Sequence, residues 1–234
     1  MRNSRVTVGH GVKPLLLVAP HGNKADDYNT DLITERTANL LQCNYVINHG
    51  WKKFPTLDLI EEKADCNNYD HMKDDVKKEF LNPIVQCVNT VLKFYPKCYI
   101  IWIHGVSNKV RAKYKKNNIE MIFGDGESKS FPDRSCNLNL KRFIICNLID
   151  CGVKCYSSFP GDQYNGASFN NMNKYFSNHN YNPRVESCQL EIVKDLRGDK
   201  VMSTLTSHYL FDALEKIDEY EKNMPPINSS YGTV

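Results

Sequence analysis

Two histidines and a few carboxylates stand at spacings that suit metal-assisted hydrolysis. His21 lies in Pro20-His-Gly-Asn-Lys-Ala-Asp26-Asp27-Tyr-Asn-Thr30, His104 in Trp102-Ile-His-Gly105, and Glu191 in Gln189-Leu-Glu-Ile192. Two neutral imidazoles and one carboxylate form the ligand set with which zinc hydrolases hold their ion, leaving a fourth position for water. Each residue also has an ordinary structural use. A histidine after a strand commonly hydrogen-bonds a turn, Asp26 and Asp27 suit the free amides at the start of a helix near Thr30, and Glu191 on an edge strand would face solvent. Two features favour chemistry. Both histidines are followed by glycine, which lets backbone approach a ligand closely. A carboxylate between Leu190 and Ile192 in a central parallel strand would also be buried, which is costly without a function.

The elements that must position these residues follow from the apolar pattern. The runs 15–19 and 98–103 read as strands buried on both faces. Helical spacing from Thr30 through Leu41 leads into a strand over 44–48, completing one β-α-β unit. A long helical pattern runs over 72–95, with Pro83 starting or kinking a segment. Strands are expected over 119–123, 153–157 and 188–193, with helices over 138–149 and 203–222. Alternating strands and helices predict an α/β fold of three layers, in which a mainly parallel or mixed central sheet carries helices on both faces, as in phosphorylase/hydrolase-like folds. Ligands of such sheets bind beyond the carboxyl ends of the strands, where His21 and His104 fall. No linker divides the chain, so residues 1–222 read as one domain and 223–234 as a loose tail. The Asn-rich segment 168–182 reads as a long loop or lid. The wider Tyr- and Asn-rich stretch 156–181 reads as a solvated loop, with a polar substrate wall as the other reading.

Composition narrows the function further. The 234 residues are 41% hydrophobic and 24% charged, which suits a globular chain with a sizeable core. Thirty Lys and Arg against 27 Asp and Glu leave a net charge of only +3, spread along the chain, which argues against a nucleic-acid or membrane-surface partner. No apolar run approaches the ~20 residues of a membrane span, and no secretory signal pattern opens the sequence, so a cytoplasmic location is expected. The nine cysteines are scattered without a Cys-x-x-Cys pair and read as reduced thiols. Cys146, Cys151 and Cys155 are read as buried core thiols rather than a metal cluster.

Taken in order, Ala19-Pro-His-Gly22, Asp27-Tyr-Asn-Thr30, Ala64-Asp-Cys-Asn-Asn68, Trp102-Ile-His-Gly105 and Gln189-Leu-Glu-Ile192 with Leu196-Arg197 resemble the N-formylglutamate amidohydrolase-like zinc hydrolases, relatives of the zinc carboxypeptidases. The resemblance implies that His21, Asp27 and His104 bind zinc and that Glu191 is the general base. It further implies that Asp65 orients His21. Asn67 and Asn68, at the position of the related enzymes' substrate arginine, and Arg184, close in sequence to the last strand, are the candidate substrate contacts. A loop cap is the structural alternative for Asp65. Spacing to Thr30 favours Asp27 over Asp26 as the acidic ligand, with Asp26 left open.

One departure bears on the substrate. Where related carboxypeptidases carry an arginine for a terminal carboxylate, this chain has Asn68, and an amide lacks the cationic fork that selects a carboxylate. Arg111, Arg134, Arg142, Arg184 and Arg197 are the candidates to compensate. The expected activity is zinc-dependent hydrolysis of an amide C–N bond in a small N-acyl amino acid or a peptide, with the oligomeric state left open. The competing readings are a non-catalytic α/β binding domain and a phosphoester or nucleotide hydrolase. Neither a phosphate-cradling glycine loop nor a Gly-x-Ser-x-Gly elbow occurs.

Overall fold

The computed structural model describes residues 4–22, 27–115, 118–129 and 133–220. Its strands are β1 (Val6–Gly9), β2 (Leu15–Ala19), β3 (Asn44–Asn48), β4 (Cys98–Val106), β5 (Met121–Gly124), β6 (Cys155–Ser157) and β7 (Val185–Val193). The α-helices are α1 (Thr30–Leu41), α2 (Asp74–Val76), α3 (Asn82–Phe94), α4 (Val110–Lys113), α5 (Leu138–Asp150), α6 (Met172–Tyr175) and α7 (Lys200–Leu214). One sheet runs in the order β1-β3-β2-β4-β7-β5-β6. Its centre is parallel, with β2 on β3 and β4, and β4 on β7. Antiparallel pairs of β1 with β3 and of β5 with β7 make the sheet mixed.

Alternation along the central strands divides the core into two faces. Leu15 and Leu17 of β2 and Tyr99, Ile101 and Ile103 of β4 point to the face covered by α1, α5 and α7. Leu16, Val18, Ile100 and Trp102 point to the other, where Ile84, Cys87, Val88 and Val91 of α3 pack. This is the three-layer α/β arrangement, and it explains why β2 and the first six residues of β4, 98–103, carry no charged side chain. Each fully buried aliphatic side chain contributes ~1.5–3 kcal/mol of transfer free energy. Trp102 is fully buried as well, and its Nε1 donates to Ser187 Oγ at 2.9 Å, tying β4 to β7 side chain to side chain.

Local chemistry sets where the elements begin and end. A π-helical turn over Lys77–Leu81 precedes α3, which carries Pro83 in its first turn. Proline lacks the N–H for the carbonyl four residues back and its ring crowds that carbonyl, so the widened turn carries the helix past it. α7 starts at Lys200, ahead of the expected 203, because Asp199 caps it by accepting from Met202 N at 2.8 Å. It ends at Leu214, short of the expected 222. Residues 221 and 222 and the tail 223–234 lie outside the described residues. β7 is longer than the expected 188–193, and β1, absent from the expectation, adds an antiparallel edge.

All nine cysteines are free. Only Cys155 of the 146–155 group is buried. Cys146 is exposed and Cys151 half-buried, correcting the reading of all three as core thiols, because the helical period turns position 146 away from the sheet. No helix among the described residues is long and apolar enough to cross a membrane.

Candidate metal centre

His21 is delivered by the end of β2. Pro20 cannot extend the strand ladder, and its carbonyl accepts from Asn48 Nδ2 at 2.7 Å, so the chain turns out of the sheet there. Gly22 is required next, since a Cβ at that position would meet Ile47 Cγ2 at 2.8 Å. The loop closes on itself where Asp27 N donates to the His21 carbonyl at 3.2 Å. Asp27 in turn is held from both sides. Its carbonyl accepts from Thr30 Oγ1 at 2.8 Å, and Asn29, at φ 65°, donates through Nδ2 to the Arg197 carbonyl at 2.8 Å. The Arg197 guanidinium donates back to the Tyr28 carbonyl at 2.8 Å and to those of Ile192 and Val106. Arg197 thus fastens the Asp27 turn to the ends of β4 and β7. Asp26 lies outside the described residues.

The two imidazoles converge on one oxygen. His21 Nδ1 lies 3.3 Å and His104 Nδ1 3.4 Å from Asp27 Oδ2, and the two rings meet edge to face. On its other side His21 Nε2 donates to Asp65 Oδ1 at 2.9 Å. Asp65 also caps its own loop by accepting from Asn67 N at 3.0 Å, and its second oxygen pairs with Lys53 Nζ at 2.9 Å. One Asp65 oxygen thus makes both the loop-capping contact and the contact to His21 that an orienting carboxylate would need. With Nε2 held by Asp65, Nδ1 is the His21 nitrogen that faces Asp27 and His104 and that would ligate an ion once its own proton is released.

Burial and charge shape the protonation of this cluster. His21, Asp27 and His104 side chains are 7%, 14% and 4% exposed. Burial works against charge on His21, yet hydrogen bonds to Asp27 and Asp65 outweigh it and raise its pKa to about 9. For Asp27 burial is outweighed by hydrogen bonds to His104 and His21, and the carboxyl is held well below the usual range. Asp65 is lowered in the same way by His21 and Lys53. Burial keeps His104 below its ordinary value. Glu191 is pushed up to about 8, first by burial and then by the negative charge of Asp27.

These donors fit a divalent ion. His21, Asp27 and His104 offer two nitrogens and one oxygen within 4.8 Å of one another, the only such group of His, Cys, Asp or Glu among the described residues. The site opens into a cleft of about 320 Å³ that Glu191, Asp65, Asn67 and Asn68 also line. Gln189 donates through Nε2 to Glu191 Oε1 at 3.3 Å and to the Tyr164 carbonyl at 2.8 Å, which steadies the carboxylate from within its own strand.

Arg184 is misplaced by the sequence reading. Its guanidinium donates to the carbonyls of Leu92, Tyr95 and Pro96 at the C-terminal end of α3. It precedes β7, whereas Glu191 lies towards the far end of that strand, roughly 23 Å away at the usual rise per residue. Arg184 is near β7 in sequence but stands at the end of that strand opposite Glu191, so it is removed from the substrate side. Arg111 pairs with Asp195, and Arg134 with Asp125 and Glu127.

Several lining residues escaped the sequence reading. Lys53 enters from the loop after β3, and Gln163, Tyr164, Ser168, Asn170 and Asn171 come from the long connection between β6 and β7. That connection is tied down: Asn165 is buried, with Oδ1 accepting from Asp125 N at 2.9 Å and from Ser158 Oγ at 2.7 Å. The stretch 156–181 thus provides a fixed polar wall, the minority reading of its composition, rather than a solvated loop. Its enrichment in Asn and Tyr was the available signal. Nothing in the local sequence of Lys53 distinguishes it from other surface lysines.

The amino-acid sequence matches no family model and no curated protein. Solved structures do match. N-formylglutamate amidohydrolase from Ralstonia eutropha JMP134 superposes with a TM-score of 0.60 at 13% identity, covering 94% of this chain and 99% of that one. A bacteriophage poly-γ-glutamate hydrolase gives 0.51 at 16% identity, covering 93% of this chain and 87% of that one. A metallo-carboxypeptidase from Pseudomonas aeruginosa gives 0.52 at 10% identity, covering 90% of this chain and 58% of that one. Across the length of its sheet, this chain has the α/β fold that N-formylglutamate amidohydrolase shares with metallo-carboxypeptidases.

Proposed function

We propose that the protein is a zinc-dependent hydrolase that cuts an amide C–N bond in an N-acyl amino acid or a peptide. The observation that carries this reading is the convergence of His21 Nδ1 and His104 Nδ1 on Asp27 Oδ2, with Glu191 lining the same cleft. His21, Asp27 and His104 would hold the ion. When bound there, zinc polarises the scissile carbonyl and lowers the pKa of water. Asp65 keeps His21 in the tautomer that presents Nδ1, and Arg197 keeps the Asp27 turn in place.

Glu191 is the general base. It takes a proton from the attacking water as the water oxygen bonds to the carbonyl carbon. It then delivers that proton to the nitrogen as the C–N bond breaks, so amide and water become carboxylic acid and amine. The base must be ionised to begin, and positive charge at the neighbouring ligand cluster favours the carboxylate form that burial disfavours. The structures of similar fold that are named as an amidohydrolase, a poly-γ-glutamate hydrolase and a metallo-carboxypeptidase support the same class of reaction.

Elemental analysis of the purified protein, paired with a screen of N-acyl amino acids and short peptides, tests the proposal. Close to one zinc per chain and turnover that stops on chelation are expected. Absence of bound metal after zinc reconstitution, together with no hydrolysis of any member of the screen, overturns it in favour of a binding domain.

A further inference from the structure

Resting on the hydrolytic reading of this cleft, we infer that its substrate is an internal amide of a peptide-like chain flanked by uncharged groups, rather than a small molecule with a free carboxylate beside the scissile bond. The charges on the cleft wall point this way. Asp27, Asp65 and Glu191 all line it, against one lysine, Lys53, among the described lining residues. Lys53 Nζ is already committed to Asp65 Oδ2 at 2.9 Å, and Asp65 holds His21. A substrate carboxylate drawing on Lys53 would have to compete with the carboxylate that orients a metal ligand. A divalent ion and Lys53 together only balance the three acids, so among the described residues no surplus positive charge is left for a fourth. No arginine among the described residues lines the cleft, and the nearest to it, Arg197, spends its guanidinium on three backbone carbonyls.

What the wall supplies instead is neutral donors and acceptors. Asn67 and Asn68 face Asn170 and Asn171 across a short backbone pairing, in which Asn68 bridges Asn171 antiparallel and Tyr69 N donates to the Asn170 carbonyl at 2.8 Å. Side-chain amides offer donor and acceptor on one plane, as a peptide backbone does, and they suit an extended chain better than an anion. The rim continues the pattern. Phe54 and Phe169 are 73% and 72% exposed, and each is adjacent in sequence to a lining residue, Lys53 and Ser168, on two different loops. Lys53 Nζ lies 5.8 Å from the centroid of the Phe54 ring, and Phe169 sits in the chain between the lining residues Ser168 and Asn170, so both exposed aromatics are candidate contact points for the side chains of a longer chain.

The test compares three probes on the zinc-loaded full chain: an N-acetyl amino acid, its carboxamide, and an acetylated, amidated hexapeptide of neutral polar residues. Turnover is measured on the parent protein, and binding by calorimetry on the same zinc-loaded parent, which keeps all three acids, with uncleavable ketomethylene isosteres of the three probes. The two neutral probes should exceed the carboxylate by about tenfold or more in kcat/KM and in affinity. Phe54→Ala and Phe169→Ala should each raise KM several-fold for the hexapeptide and leave the carboxamide unchanged. Preference for the free carboxylate in either readout overturns the inference. If no probe is cut but the parent binds the neutral isosteres more tightly, the specificity stands and the hydrolytic reading fails. If none binds, the inference falls.

Discussion

His104 and Glu191 are register partners in the parallel pair of β4 and β7. Paired residues of adjacent strands point to the same face, so a ligand candidate and a base candidate are set side by side by backbone hydrogen bonds alone. His21 and Asp27, by contrast, come from one loop after β2 and are held by side-chain contacts from Asp65 and Arg197. The sheet fixes one half of the centre and fastened loops fix the other.

Metal content separates these halves. His21→Ala and His104→Ala should each lose most of the zinc, since two remaining donors make a poor site. Asp27→Asn should also weaken binding, because a neutral amide oxygen is a poor zinc ligand. Equilibrium dialysis checks the series, and full occupancy in the His21/His104 double variant would remove the assignment.

Asp65→Asn acts one step further out. It keeps a hydrogen-bonding group near His21 Nε2 but removes the charge, and zinc affinity should fall about 10–100-fold with the fold intact. Unchanged affinity would reduce Asp65 to a loop cap.

Glu191→Gln is nearly isosteric and should retain both fold and metal while turnover drops by about two to four orders of magnitude. The loss should appear in kcat. Parent-like turnover on a substrate that the parent cuts would assign the base elsewhere.

Chelated protein should lose stability as pH rises. Glu191 is raised from 4.5 to about 8 in the fold, so its protonated form contributes fully below 4.5 and that contribution is gone above about 8. His21, raised from 6.5 to about 9, contributes below 6.5 and loses its contribution through about 9. Asp27 and Asp65 are lowered, so theirs is present above 3.8 and lost in acid. His104 is lowered below 6.5, so its contribution grows as pH rises towards 6.5 and offsets the loss at Glu191, and thermal midpoints of the metal-free protein should stay near their maximum up to pH 6.5 and decline from there towards 9. The decline should be smaller in Glu191→Gln. A flat profile would show that the buried groups do not carry these protons.

Gly105→Ala tests the Arg197 clamp. A Cβ there would collide with the Arg197 guanidinium, which pins the Tyr28 carbonyl beside Asp27. Destabilisation of about 1–3 kcal/mol is expected, with weaker zinc binding. Calorimetric melts with and without zinc read both effects, and a melt and affinity matching the parent would show that Arg197 does not govern the Asp27 turn.

The parts legible in the sequence were those with local signatures. β2 and β4 are buried on both faces, so they read as apolar runs, and their carboxyl ends drew attention to His21 and His104. β1 is four residues long and only partly buried, so it left no such run. Arg184 failed because the two ends of β7 are close in sequence yet open onto opposite sides of the molecule, and only the carboxyl end faces the cleft. Lys53 and the Asn170 wall reach the cleft through long-range packing, which local patterning does not encode.

The strand order has a temporal consequence. β4 lies between β2 and β7, so its second neighbour is synthesised about 80 residues after it. Until β7 has emerged, the His104 strand presents an open edge of unpaired amides, a template for wrong pairing. Insertion of β7 then covers that edge, brings Glu191 opposite His104 and, through Arg197, anchors the Asp27 turn. Metal uptake by a growing chain would therefore follow completion of the sheet and report it, since the Asp27 turn is anchored only after β7 and Arg197 are in place.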